Sequence, residues 1–138
     1  MLDATDFAII DLLKKNARIG WRDIGEQVHL TGQAVGGRIR KMEELGLIKG
    51  YSAVLDDSKL GKAVTAFVTV YMKTTDHPEF HRFIKARSVV VEAHRISGDG
   101  CYLLKVKATS NEELNELLDA LLKFGNYRVS LSIGTIKS

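Results

Sequence analysis

Residues 21–40, Trp21-Arg-Asp-Ile-Gly-Glu-Gln-Val-His-Leu-Thr-Gly-Gln-Ala-Val-Gly-Gly-Arg-Ile-Arg40, read as two short amphipathic helices joined by a tight corner, with Thr31 placed to cap the second. Ile24 and Val28 on the first helix, Leu30 in the corner, and Val35, Ile39 and Met42 on the second close one small core at helical spacings. That arrangement is a helix-turn-helix, whose second helix enters the major groove of DNA. Gln33, Gly36, Gly37, Arg40 and Lys41 are left on the outward side of the second helix. Their chemistry suits a groove: an amide that can bond adenine in two places, glycines that allow close backbone approach, and cations for phosphate. Gln33 and the backbone beside Gly36 and Gly37 are expected at the bases, with Arg38, Arg40 and Lys41 at phosphate or paired with Glu43 and Glu44. Trp21, Arg22, Thr31 and Ala34 complete the candidate contacts.

Working outward, Leu2 to Asn16 is expected as a bracing helix, opened by Asp3 or Thr5 and turning Phe7, Ile10, Leu13 and Ala17 inward. Past the second helix of the pair, Gly46 suits a helix end, and Ile48, Tyr51, Ala53 and Leu55 begin an extended segment read as a short strand. Asp56-Asp57-Ser58-Lys59-Leu60-Gly61 is polar, ends in glycine and is the best linker candidate. The expected division is a helix-turn-helix domain at 1–50, a linker strand and loop at 51–62, and a second domain at 63–138.

From Val64 the period shortens from 3.6 to two. Ala66, Val68, Val70 and Met72 alternate with Thr65, Phe67, Thr69 and Tyr71, as in a strand covered on both faces. Asp76, Pro78 and Glu79 start a helix whose apolar side is Phe80, Phe83 and Ile84. Val89 to Ser97 and Cys101 to Ala108 flank Ser97-Gly98-Asp99-Gly100 as an antiparallel hairpin. Ser110 and Glu113 form a capping box for a helix carrying Leu114, Leu117, Leu118, Leu121 and Leu122, and Arg128 to Ile136 supplies a last strand. The order βαββαβ predicts a ferredoxin-like antiparallel sheet with both helices on one face, so the chain as a whole is α+β, a winged-helix-like head followed by that sheet. The other face, with Phe67, Tyr71, Val90, Leu103, Leu131 and Ile133, is expected to pack on a second copy and set two heads side by side on DNA.

Composition narrows the alternatives. A chain of 138 residues, 45% hydrophobic, suits one average domain or two small ones. No apolar run spans a membrane and no secretory signal opens the chain, so a cytoplasmic, nucleoid-associated location is expected, with no membrane partner. The net charge of +3 is weak evidence for a DNA reader, since residues 1–60 balance nine basic against nine acidic side chains; the useful asymmetry is the cluster Arg38, Arg40, Lys41 and Lys49. Cys101 stands alone and excludes an internal disulfide or a thiol metal site. His77 and His81 have a spacing that can hold a metal, but the sequence places no third ligand, and His29 and His94 read as satisfied polar residues; no metal or cofactor is expected. No nucleophile triad, paired carboxylate motif or phosphate loop is found, and Gly98-Asp-Gly100 lacks the third glycine of a dinucleotide site, which leaves an enzyme unsupported.

Three motifs in order carry a family resemblance. They are Leu2-Asp3-x-x-Asp6-x-x-Ile9-Ile10-x-x-Leu13-x-x-Asn16-Ala17-Arg18, Leu30-Thr31-x-x-Ala34-Val35-x-x-Arg38-Ile39-x-x-Met42-Glu43-x-x-Gly46-Leu47-Ile48, and Gly98-x-x-x-Tyr102-x-Leu104-x-Val106. Over nearly its whole length the chain resembles the leucine-responsive and asparagine-operon regulators, the Lrp/AsnC or feast/famine family of transcription regulators. The resemblance implies a sequence-selective DNA-binding head, a ferredoxin-like effector and assembly domain, homodimers gathered into rings such as octamers, and amino acids or related molecules as effectors. It places effector contacts at Gly98, Asp99, Gly100, Cys101 and Tyr102. Two departures stand out. Thr31-Gly32 replaces a serine-proline helix start, with Gly36-Gly37 inside the helix; and Cys101 occupies the place of an acidic residue directly before the tyrosine, with Asp99 two residues earlier. Both favour, as the alternative, an architectural DNA-wrapping protein with little ligand response.

Overall fold

In the computed structural model, which describes residues 1–138, Asp3 opens the first helix, α1 (Ala4–Lys15), through a reciprocal capping box: the Asp3 carboxylate accepts from the Asp6 amide while the Asp6 carboxylate accepts from the Asp3 amide. The helices α2 (Trp21–Val28) and α3 (Gly32–Glu44) follow, and the three close around Ile9, Ile24, Val35, Ile39 and Met42. The inward stripe of α1 runs through Asp6, Ile9 and Leu13, with Leu2 ahead of the helix packed on the same core. Phe7 lies about 100° around the helix from Asp6, so it is exposed rather than inward, and Ala17 lies beyond the helix end and is exposed too. This unit covers Met1–Val54. The strand expected between Ile48 and Leu55 does not form: a strand needs a neighbouring backbone, and 49–56 pair with none. The linker's regular structure is instead a single 3-10 turn, Asp57–Leu60, capped by Asp56.

The second unit, Leu55–Ser138, contains β1 (Val64–Met72), α4 (His77–Lys85), β2 (Val90–Arg95), β3 (Tyr102–Ala108), α5 (Asn111–Leu121) and β4 (Gly125–Leu131). The sheet is antiparallel in the order β2-β3-β1-β4, the ferredoxin-like plan. Ala66, Val68 and Val70 on β1 and Tyr102, Leu104, Val106 and Ala108 on β3 meet Phe80, Ile84 and the leucines of α5 in the core. Four expectations shift in this unit. Leu122 follows the last helical residue and is exposed, while Phe124 fills the core instead. The last strand starts earlier than Arg128 and ends before Ile133, because the amide of Ser132 bonds Thr65 near the start of β1 and no strand lies beyond to pair with Ile136. Glu113 bonds the amide of Thr109, not that of Ser110.

The fourth shift concerns the uncovered sheet face. A bulge between Val90 and Glu92 resets the two-residue period, so Val90 pairs with Val106 on the core side, and Leu131, opposite Ala66, also lies on that side. Ile133 lies outside the strand and is fully exposed. Phe67, Tyr71 and Leu103 therefore form a small apolar centre on the open face. Their register neighbours include Lys105 opposite Phe67, Asn126 opposite Tyr71 and His94 opposite Leu103.

Candidate DNA-reading face and effector hairpin

The corner between α2 and α3 is tight because two backbones touch. The Leu30 amide donates to the Gly25 carbonyl at 2.9 Å, and a Cβ on Gly25 would sit 2.3 Å from the Leu30 carbonyl oxygen. Only glycine fits there. His29 turns the chain with φ of 60°, a left-handed conformation that glycine more often takes. Thr31 then caps α3, its hydroxyl accepting from the Ala34 amide at 3.1 Å. With Val35, Gly36, Ile39 and Met42 buried, Gln33, Ala34, Gly37, Arg40 and Lys41 face solvent, and neither Arg40 nor Lys41 joins an ion pair. Arg22 is exposed on α2 and pairs loosely with Glu26 at 3.9 Å.

Two expected contacts lie elsewhere. Gly36 is buried, not outward, because the ring of Trp21 covers it: a Cβ on Gly36 would stand 2.4 Å from ring atoms Cε3 and Cζ3. The same ring carries the Arg40 guanidinium, 5.4 Å from its centroid. Trp21 is thus a platform seated on a glycine and carrying an arginine at its ring. Arg38, expected at phosphate, turns back to α1, its Nη1 donating to both Asp3 oxygens at 2.8 Å and to Asp6 at 3.1 Å. Two carboxylates within reach outcompete solvent for a guanidinium two-thirds buried. The hydrogen bond from Arg38 holds the Asp3 carboxyl below its ordinary value of 3.8, helped by the Asp6 amide.

The hairpin residues divide between the two faces of the sheet. Gly98 and Gly100 take φ of 89° and 92° at the turn. Between them the Asp99 carboxylate accepts from the Tyr71 hydroxyl at 3.0 Å and from Arg128 Nη1 at 3.2 Å. Burial, and then the hydrogen bond to Asp99, push the Tyr71 phenol above its ordinary value. The Cys101 amide donates to the Val70 carbonyl at 2.8 Å, with its side chain half-buried. Tyr102 departs from the expected grouping. Period two sends it into the helix-covered core, where its hydroxyl lies 2.6 Å from His77 Nδ1 and 2.8 Å from His81 Nε2. The two histidines thus share a phenol as hydrogen-bond partner, and no three His, Cys, Asp or Glu side chains gather at a metal-binding distance.

Sequence reasoning missed Gly25, the pairing of Arg38 with Asp3 and Asp6, and the partnership of Tyr71 and Arg128 with Asp99. A glycine in the first helix of a tight helical pair was a readable signal, since interior glycine needs a packing reason. The other two join residues 32 or 35 positions apart and about 28 positions apart, and carried no local signal.

Comparison with known proteins agrees with both units. Residues 2–43 match the AsnC-type helix-turn-helix domain, and residues 65–138 match the Lrp/AsnC ligand binding domain. The chain is 54% identical over 136 residues to the HTH-type transcriptional regulator LrpB of Bacillus subtilis, covering 99% of this chain and 91% of that protein. Among solved structures, LrpC of B. subtilis superimposes with a TM-score of 0.94 at 30% identity, covering 100% of this chain and 99% of the other. Transcriptional regulator NMB0573 of Neisseria meningitidis, solved as a complex with L-Met, gives a TM-score of 0.93 at 26% identity, with coverage of 100% and 94%.

Proposed function

The chain belongs to the Lrp/AsnC family of HTH-type transcription regulators, and from that premise we propose how it reads DNA and what it senses. The observation that carries the reading is the outer face of α3, where Gln33, Gly37, Arg40 and Lys41 lie free of internal ion pairs beside the Trp21 platform. Gln33 and the backbone at Gly37 meet base edges, with Thr31 and Ala34 at the helix start beside them. Arg40, Lys41 and Arg22 meet phosphate. Arg38 and Gly36 act indirectly, the first by bracing α1 on α3 and the second by seating Trp21. The unit that reads DNA spans 1–50, residues 51–62 link it, and residues 63–138 assemble copies and sense ligand, in the cytoplasm at the nucleoid and without a catalytic step.

The effector in this reading is an amino acid, as in the L-Met complex of the Neisseria relative. The hairpin supplies Asp99 for the ammonium group and β4 supplies Arg128 for the carboxylate, an exposed pair that a zwitterion could separate and satisfy. Gly98 leaves room beside it, whereas Gly100 packs against Thr69, and Cys101 lies next in the chain.

A binding experiment tests both parts. A duplex selected from a random pool should bind roughly a thousandfold tighter than its scrambled counterpart at fixed salt. Arg40→Ala should weaken binding to both and reduce the salt slope by about one. Equal affinity for the two duplexes would instead favour a DNA-wrapping protein. A thermal-shift series over the twenty amino acids should show one or a few that raise the melting temperature in the parent protein and not in Asp99→Asn.

A further inference from the structure

The second unit contains a cleft of about 340 Å³ between the last turns of α4 and the edge strand β2. Its floor is apolar, built from the buried side chains of Phe80 and Ile84 with the ring of Tyr102. Lys85 and Arg95 stand at its rim, and no Asp or Glu lines it. Neither cation takes part in an ion pair, although five of the other basic side chains do. The hydroxyl of Tyr102 is already committed to His77 and His81, and His81 and His94 are the remaining polar residues of the lining, neither of them anionic.

An apolar floor beneath two unpartnered cations matches a molecule with an apolar body and one negative end. The lining also discriminates. An amino acid brings an ammonium group that would meet two cations and no carboxylate, so its deaminated counterpart is the better fit. We propose that the cleft between α4 and β2 is a binding site for small monocarboxylates with a branched or aromatic apolar body, distinct from the hairpin. The acid lays its hydrocarbon on Phe80, Ile84 and Tyr102 and its carboxylate between Lys85 and Arg95. The site goes beyond the amino-acid reading of the hairpin and does not need it, because Asp99 and Arg128 contribute nothing to the cleft.

The test titrates the full chain by calorimetry with 4-methylpentanoate, its amide 4-methylpentanamide, and leucine. The acid is expected to bind, with amide and leucine each weaker by about tenfold or more. The double variant Lys85→Gln and Arg95→Gln, which alters two exposed side chains without partners, should lose about tenfold of the acid's affinity and leave the circular dichroism spectrum unchanged. Asp99→Asn should bind the acid as the parent does, even if it loses an amino-acid response. The proposal is overturned if amide and acid bind alike, if the double variant binds the acid as tightly as the parent, or if Asp99→Asn abolishes acid binding. The amide comparison needs no variant, so a folding defect would leave the test decisive.

Discussion

At Gly36 one missing methyl group decides where an aromatic ring lies. The ring of Trp21 occupies the space a Cβ would need, and the Arg40 guanidinium lies over the same ring. Gly36→Ala must therefore displace the ring or distort α3, and overpacking of this kind costs about 1–3 kcal/mol. Urea unfolding should show that loss. Because Trp21 is the chain's one tryptophan, its emission should also shift toward that of a more exposed indole in the variant. Unchanged stability and emission would mean the ring does not depend on the glycine. His29 poses the opposite case, a side chain held at φ of 60° where the left-handed region is disfavoured. His29→Gly should raise stability by about 1 kcal/mol, seen as a higher melting temperature; a fall would show that the imidazole contributes more than the strain it brings.

At the scale of elements, the head is braced by charge as well as by its small core. Arg38 of α3 donates to Asp3 and Asp6 at the start of α1, so two helices far apart in sequence are tied at one end. The Asp3 carboxyl titrates below 3.8 when folded because Arg38 favours its ionised form. A lowered folded value means that this contribution is complete above 3.8 and is lost as pH falls through the folded value. The melting temperature of the parent should thus drop in acid more steeply than that of Asp3→Asn, which keeps the cap but has no carboxyl to titrate. Parallel pH profiles would deny the pair its role. The local half of this bracing was legible as far as a choice between two caps, Asp3 and Thr5, of which the structure uses Asp3. Its long-range half was not, because nothing within a helix's own periodicity says which charged residue of another helix will face it.

For the whole molecule, the open face of the sheet is the surface on which a second copy is expected to pack. The face is less apolar than the alternation suggested, since the bulge at Val90 to Glu92 moves Val90 to the core and brings Glu92 and His94 outward. Phe67, Tyr71 and Leu103 remain at its centre, and Phe67 is 40% exposed on the middle strand. If copies pair there, Phe67→Lys should place a charge in each half of the contact and yield single subunits in sedimentation, with weaker DNA binding as two heads no longer act together. A dimer that survives this change would place the contact elsewhere. Ion pairs at the rim, such as Lys107 with Asp57, would be little altered.

The sequence determined by itself whatever depends on neighbours along the chain. Caps at Asp3, Thr31, Asp76 and Ser110 and the change from helical to two-residue period were all legible, because each is set by residues within about four positions. Three motifs at family spacing carried the rest of that reading, and both family domains are found where they fall. Only the tertiary structure decided which way borderline side chains turn. Arg38 went to α1 instead of solvent, Gly36 beneath Trp21 instead of outward, and Tyr102 into the core between two histidines instead of staying beside Asp99. Each of those outcomes is a competition between water and a partner well beyond one helical turn or strand pair, and local pattern holds no record of the partner's distance.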